Sequence, residues 1–542
     1  MTSELPAGVR NSGDPVDLRM VAHDLWPRRL IERRDEVALT LPHRVFWPES
    51  DDDVAAIVRA ARVGRRPVVP FGAGSGVCGG ISPTSSSWII DTKRMSRVLA
   101  VDPERGVCTV EAGVLGERLE ETLNARGLTL GHFPSSIYCS TVGGWVATRG
   151  AGQLSSRYGK VEDMVLAVEG IDGRGRKVRA AVDDPRTGPG AVQLLVGSEG
   201  ALVIVTRVTF RVRPLCTHRW LRGFVFDDLG GALAAMRALM QGGEAPSVLR
   251  LYDPVDAALA GSLPVREAEP DRIVAGGLAR AGLEDSGPKD GHAHGHDGDD
   301  EPTLFEALTE KVDELALFSR PRAARRIVGE ILGRPSLANA ILDRVGARPR
   351  VVIGIEGAAD DVAARVPALK ARLLAMGGKD LGDEPGSLWL KNRHRVSYRM
   401  SRAFAAGSWV DTFEVATGWE GVLPLYKDVR EALRDTAVVM CHMSHAYHDG
   451  CSLYFTFPGF GAPGTGPRSA LARYDLAWER ALTIARRHGA AISHHHGVGR
   501  SKVRGQKLQP GARALLDALK AELDPDCILN PGVLGLGTRE AA

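Results

Sequence analysis

The sequence predicts an α+β protein built from two domains. Three observations predict it: helical and strand-like patterns alternate as far as Pro214, the pattern restarts near Cys216, and three glycine-rich bends punctuate the first part. Those bends are Pro70-Phe71-Gly72-Ala73-Gly74-Ser75-Gly76, Ser140-Thr141-Val142-Gly143-Gly144-Trp145 and Gly197-Ser198-Glu199-Gly200. With 542 residues, 44% of them hydrophobic, the chain is long enough for more than one core.

Asp51-Asp52-Asp53 precedes Val54, Ile57, Val58 and Ala61, which have helical spacing with acids at the favourable end, and the strand Pro67 to Pro70 follows. Trp88 to Asp91, Val98 to Val101 and Val107 to Val110 read as short strands, and Leu115, Leu119 and Leu123 mark another helix. Beyond Cys216, strands are predicted at Leu221 to Phe226 and Val351 to Glu356, with helices at Leu229 to Met240 and Ala359 to Met376. This is the pattern of a cap whose antiparallel sheet is covered by helices. The predicted division is residues 1–215 for the first domain, 216–490 for the cap, and 491–542 for a segment returning to the first domain. Between Glu284 and Pro302 the chain is acidic, glycine-rich and nearly free of apolar side chains, so a disordered insert is predicted there, and His292, His294 and His296 are assigned to it.

Sixty-nine basic and 66 acidic side chains leave a formal net charge of only +3, which gives no support for a nucleic-acid partner. Seven cysteines without C-x-x-C spacing fit a reducing, cytoplasmic location better than a disulfide framework. No apolar signal core and no run of ~20 apolar residues is present, so a soluble protein is expected. A peripheral membrane contact and a homodimer both stay open.

Glycine permits left-handed torsions and leaves room beside the backbone, so N–H groups in such bends can close on phosphate oxygens. Three of them in order imply an extended, anionic cofactor across the first domain. A dinucleotide fingerprint is the competing reading of Gly72-x-Gly74-x-x-x-x-Gly79. It requires a helix immediately after the turn, which Pro83 and the serines following it disfavour.

The bends, together with Tyr158 to Asp163 and Leu523 to Gly532, resemble the FAD-binding fold of the vanillyl-alcohol oxidase and para-cresol methylhydroxylase superfamily. Within it the sequence is most similar to the alkyldihydroxyacetonephosphate synthase family, through Thr141 to Thr148, Val410 to Trp419, Ser452 to Phe455 and Ser493 to Gly499. The resemblance implies a two-part domain of the para-cresol methylhydroxylase type that binds FAD. The residues proposed to hold FAD are Pro70, Gly72, Ala73, Gly74, Ser75, Gly76, Ser140, Thr141, Gly143, Gly144, Thr148, Glu199 and Gly200. No histidine lies within Gly72 to Gly80, where some relatives attach their flavin, so noncovalent FAD is expected.

His494-His495-His496 precedes Gly497-Val498-Gly499 and the basic residues Arg500, Lys502 and Arg504. Three imidazoles titrate near neutrality, and in a strand they would alternate between faces, which disfavours joint ligation of one metal. The resemblance places them beside flavin and substrate, with His495 and His496 as candidates for proton transfer. It makes Tyr454, in the alternating run Leu453 to Phe457, the catalytic tyrosine. Arg399, in a cluster with Arg393, His394, Arg395 and Arg402, is the candidate to hold a phosphate or carboxylate of a small substrate. Two departures from the synthase pattern stand out. Met400 falls where an arginine belongs unless the alignment shifts by one, and His442 occupies another arginine position. His442, His445 and His448 recur every third residue, which is read either as pocket polarity or as metal ligands; no metal is assigned. The reaction implied is acyl-to-alkyl exchange on dihydroxyacetone phosphate in ether-lipid synthesis. The alternative is FAD-linked oxidation of a D-2-hydroxy acid.

Overall fold

The computed structural model describes residues 5–182, 190–261, 333–344, 346–394, 404, 408–461 and 468–537. The predicted insert at 284–302 and Arg395, Arg399, Met400 and Arg402 lie outside the described residues.

The first domain has the two parts that the resemblance implies. Strands Arg44–Phe46, Trp88–Asp91 and Val68–Phe71 are parallel, with Asn11–Ser12 added antiparallel at one edge. The helix Asp51–Val63 feeds this sheet; Ser50 caps it through a reciprocal bond with Asp53, and Val54, Ile57, Val58 and Ala61 are buried. The second part is a five-stranded antiparallel sheet in the order Val98–Asp102, Val107–Glu111, Val203–Arg211, Val165–Asp172, Lys177–Ala181. Trp145, Val146, Leu119 and Leu123 pack into its core.

The cap is one antiparallel sheet of seven strands, in the order Lys379–Asp380, His218–Val225, Arg350–Gly357, Val248–Tyr252, Met440–Met443, Gly450–Phe460, Ser408–Gly418. Leu251, Cys441, Phe413, Val415, Leu453, Phe455 and Phe457 form a core with residues of the helices Leu229–Gln241, Ala359–Ala375, Trp419–Leu433 and Arg468–Arg487. Alternation along each strand then turns the intervening side chains to the opposite face. Register aligns Tyr252 with His442, His442 with Tyr454, and Tyr454 with Glu414, so four polar residues form one row across the sheet.

The chain after the cap returns to the first domain. Leu529 bridges Val68 in parallel, and the ammonium of Lys520, 4% exposed, bonds Asp524 at 2.6 Å and the carbonyls of Ala201 and Leu529 at 2.7 and 2.9 Å. No helix among the described residues is long and apolar enough to cross a membrane, and all seven cysteines are free.

Candidate active site

The three glycine bends meet in space. A Cβ on Gly72 would lie 2.3 Å from Thr141 Oγ1, and one on Gly200 2.3 Å from Pro70 Cγ, so the first bend touches both the second and the third. Asn530 donates to the carbonyls of Gly80 and Glu199 at 3.0 and 2.8 Å, adding the returning segment to the same group. The N–H groups of Gly72, Ala73, Gly74, Ser75 and Gly76 find no acceptor among the described residues, and Gly74 has φ +71°. A row of undirected backbone donors on a strand end suits a diphosphate, and the first bend therefore fits FAD.

The second bend uses its groups internally. Thr141 caps the helix Val142–Thr148 by accepting from Gly144 at 3.4 Å, Gly143 N–H donates to the Ala112 carbonyl at 2.7 Å, and Ser140 accepts from Trp145 Nε1 at 2.7 Å. Thr148 donates to the Gly144 carbonyl at 2.9 Å. This helix escaped the sequence reading because Gly143 and Gly144 argue against one. Its glycines serve close packing instead: a Cβ on Gly143 would lie 2.8 Å from that of Ala112. Glu199, at φ +48°, accepts from Val498 N–H at 2.6 Å and Gly499 N–H at 2.8 Å, and burial raises its carboxyl to about 7 despite those donors.

The histidines occupy a loop and not a strand. Nδ1 of His494 and Nδ1 of His495 are 3.0 Å apart, whereas neighbouring side chains of a strand point to opposite faces. Gly497 at φ +80° and Gly499 at φ +53° follow, and a Cβ on Gly499 would lie 2.1 Å from the Cys78 carbonyl oxygen. His495 and His496 flank Tyr454 with ring centroids at 5.8 and 5.4 Å. Burial pushes the Tyr454 phenol up to about 12, and its hydroxyl bonds Thr412. Burial also lowers His494 and His495 well below their ordinary value and His496 to about 4, so all three rings are neutral near pH 7.

The triplet His442, His445, His448 divides three ways. His445 joins the loop histidines: one ring nitrogen from each of His445, His494 and His495 lies within 4.8 Å of the others. His445 and His494 also belong to a hydrogen-bonded chain, in which His445 meets Ser155 Oγ at 2.7 Å, Tyr447 donates to Ser155 at 3.3 Å, and His494 Nε2 meets Tyr447 Oη at 3.0 Å. His448 is exposed. His442 stacks on Tyr454 and receives 2.7 Å from Arg250, while its Nδ1 faces Asp256 at 2.9 Å. Arginine only donates, so Nε2 accepts and the proton sits on Nδ1.

Sequence reasoning missed Arg250 and gave Glu414 no role. Arg250 has no ion-pair partner among the described residues, and its Nε is buried without a hydrogen bond. Glu414 is fully buried at 0% exposure, and an acid between Phe413 and Val415 in the strand is the signal that marked it. Arg393 and His394 are buried at 4% and 6%, with Arg393 over the rings of Phe133 and Trp389, so they are not a solvated basic face.

Residues 42–181 match the FAD binding domain family, and residues 337–534 match the C-terminal domain of FAD linked oxidases. The alkyldihydroxyacetonephosphate synthase of Trypanosoma brucei brucei is 30% identical over 534 residues, covering 94% of this chain and 75% of the relative. An uncharacterized FAD-linked oxidoreductase of Escherichia coli K12 is 26% identical, covering 92% and 89%. The solved fold of an alkyldihydroxyacetonephosphate synthase superposes with a TM-score of 0.69 at 22% identity, covering 96% of this chain and 82% of that one. Substrate-bound p-cresol methylhydroxylase gives 0.67 at 14%, covering 97% and 93%. Fold and site together define an FAD-dependent enzyme with a fold of the para-cresol methylhydroxylase type. The chain belongs to the alkyldihydroxyacetonephosphate synthase family.

Proposed function

We propose that the enzyme exchanges the acyl group of an acylated dihydroxyacetone phosphate for the alkoxy group of a fatty alcohol, releasing the fatty acid. The observation that carries this reading is the convergence of Tyr454, His495, His496 and Arg250 around one polar row of the cap sheet. FAD, when bound noncovalently, supplies an electron sink at the reacting carbon, and the exchange leaves no net change in its oxidation state. His495 and His496 are neutral, so an unprotonated ring nitrogen is available to take a proton from the substrate carbon. Tyr454, protonated far above neutrality, donates from Oη toward the departing carboxylate. Arg250 is proposed to orient the phosphate through its guanidinium, and Arg399 to be a second anion contact.

The second reading, oxidation of a D-2-hydroxy acid, is favoured by one observation: His442 stands where the synthase pattern has an arginine. Anaerobic addition of each substrate class to the purified yellow protein separates the two. Acyl dihydroxyacetone phosphate with a fatty alcohol should release fatty acid without lasting bleaching at 450 nm; bleaching by a D-2-hydroxy acid without exchange would establish the second reading instead.

A further inference from the structure

Two buried carboxylates from different domains grip the histidine loop. Glu199 of the first domain holds the N–H groups of Val498 and Gly499. Glu414 of the cap holds the rest: Oε1 accepts from Ser493 Oγ at 2.9 Å, His496 N–H at 3.0 Å and Lys502 Nζ at 2.5 Å, and Oε2 accepts from His494 N–H at 2.5 Å. Glu414 and Lys502 are each 0% exposed. An ion pair this deep is retained only where its geometry is complete, and loss of one member strands the other.

His496 competes for the same carboxylate and loses. Its Nδ1 lies 3.8 Å from Glu414 Oε1, buried and without a hydrogen bond, while the ammonium of Lys502 sits at 2.5 Å. The other groups facing His496 supply no free anion. His495 and Tyr454 present rings, and Glu199 is engaged by two N–H groups. Cys78, near Lys502, is a thiol that burial raises to about 12, and Asp411 points to the opposite face, where it accepts from Tyr474 and Trp478.

We propose that Lys502 is a positioning residue that, by saturating Glu414, fixes the histidine loop and reserves His496 as a neutral imidazole beside Tyr454. The proposal rests on the reading of His496 as a proton acceptor. Burial and Lys502 lower that imidazole to about 4 while Glu414 alone would raise it. Removing the ammonium frees the carboxylate to draw a proton onto Nδ1 and to turn a base into an acid.

The test uses FAD-loaded Lys502→Met, Lys502→Arg and the double variant Lys502→Met with Glu414→Gln. Nuclear magnetic resonance of labelled histidine rings, with His496→Asn for assignment, follows His496 without any substrate, so its result is separate from whether the exchange reaction is correct. In Lys502→Met the His496 midpoint should rise by at least about one pH unit, and the acidic limb of kcat/KM should rise with it. Lys502→Arg should restore the original midpoint. The double variant, with neither charge, should titrate at or below the native value while losing kcat at least about tenfold through a loosened loop. An unchanged midpoint in folded Lys502→Met overturns the proposal. Should that variant fail to load FAD, a raised midpoint in the double variant does so.

Discussion

The imidazole of His442 lies parallel to the phenol of Tyr454, with centroids 4.7 Å apart and planes inclined by 12°, and its far edge is bonded to Arg250. Tyrosine, histidine and guanidinium therefore form one tier of the polar row. Replacing Arg250 by Lys keeps the charge and loses the planar fork. The KM for the anionic substrate should rise roughly 10- to 100-fold, with a smaller effect on kcat, in line with about 1.5–3 kcal/mol for a charged hydrogen bond. Steady-state kinetics check this; an unchanged KM removes Arg250 from the anion site.

The glycine bends give a paired prediction. Gly72→Ala forces its new methyl group onto Thr141 Oγ1, whereas a Cβ added at Gly80 would meet nothing within 4 Å. The first change should weaken FAD binding at least about tenfold, and the second should stay within about 0.5 kcal/mol of the parent in stability. Fluorescence titration of the apoprotein with FAD measures the first, and denaturant unfolding the second.

Lys520→Met leaves the fully buried Asp524 without its ammonium. An uncompensated buried charge costs about 3–5 kcal/mol. Denaturant unfolding of the holoprotein should report a loss of that order, together with faster FAD release, because Lys520 also holds the carbonyl of Leu529 beside Val68.

Acid should remove the contribution of His442 to stability. Burial, aided by Arg250, lowers His442 from 6.5 to about 4. A folded value below the unfolded one means that the proton binds only on unfolding, so this stability is present above pH 6.5 and is lost as pH falls toward 4. Asp24, Glu199 and Asp411, raised by burial to about 7, act oppositely, losing stability as pH rises through 7. Between pH 7.5 and 5.5, the stability of His442→Gln relative to the parent should therefore rise by about 1 kcal/mol, whatever the other groups contribute to both. Denaturant midpoints at the two values check the sign.

Legibility tracked periodicity and local chemistry. The helix Asp51–Val63 was readable because its acids, cap and apolar spacing agree, and the strand Gly450–Phe460 because Leu453, Phe455 and Phe457 alternate with Tyr454 and Thr456. The helix Val142–Thr148 was not, since Gly143 and Gly144 lower its propensity, and Gly143 packs closely on Ala112. Arg250 went unnoticed because a lone arginine in Val248–Tyr252 becomes meaningful only when His442, nearly two hundred positions on, is brought to its guanidinium. Likewise, His445 parts company with His442 because successive positions on a strand and its following turn face different neighbours.

The bridge between Leu529 and Val68, with Asn530 tying Gly80 to Glu199, has a consequence for biosynthesis. During translation Val68 emerges hundreds of residues before the Leu529 that bridges it, and the whole cap must be threaded out in between. The contacts that join the first and third glycine bends through Asn530 are thus among the last that the chain can form.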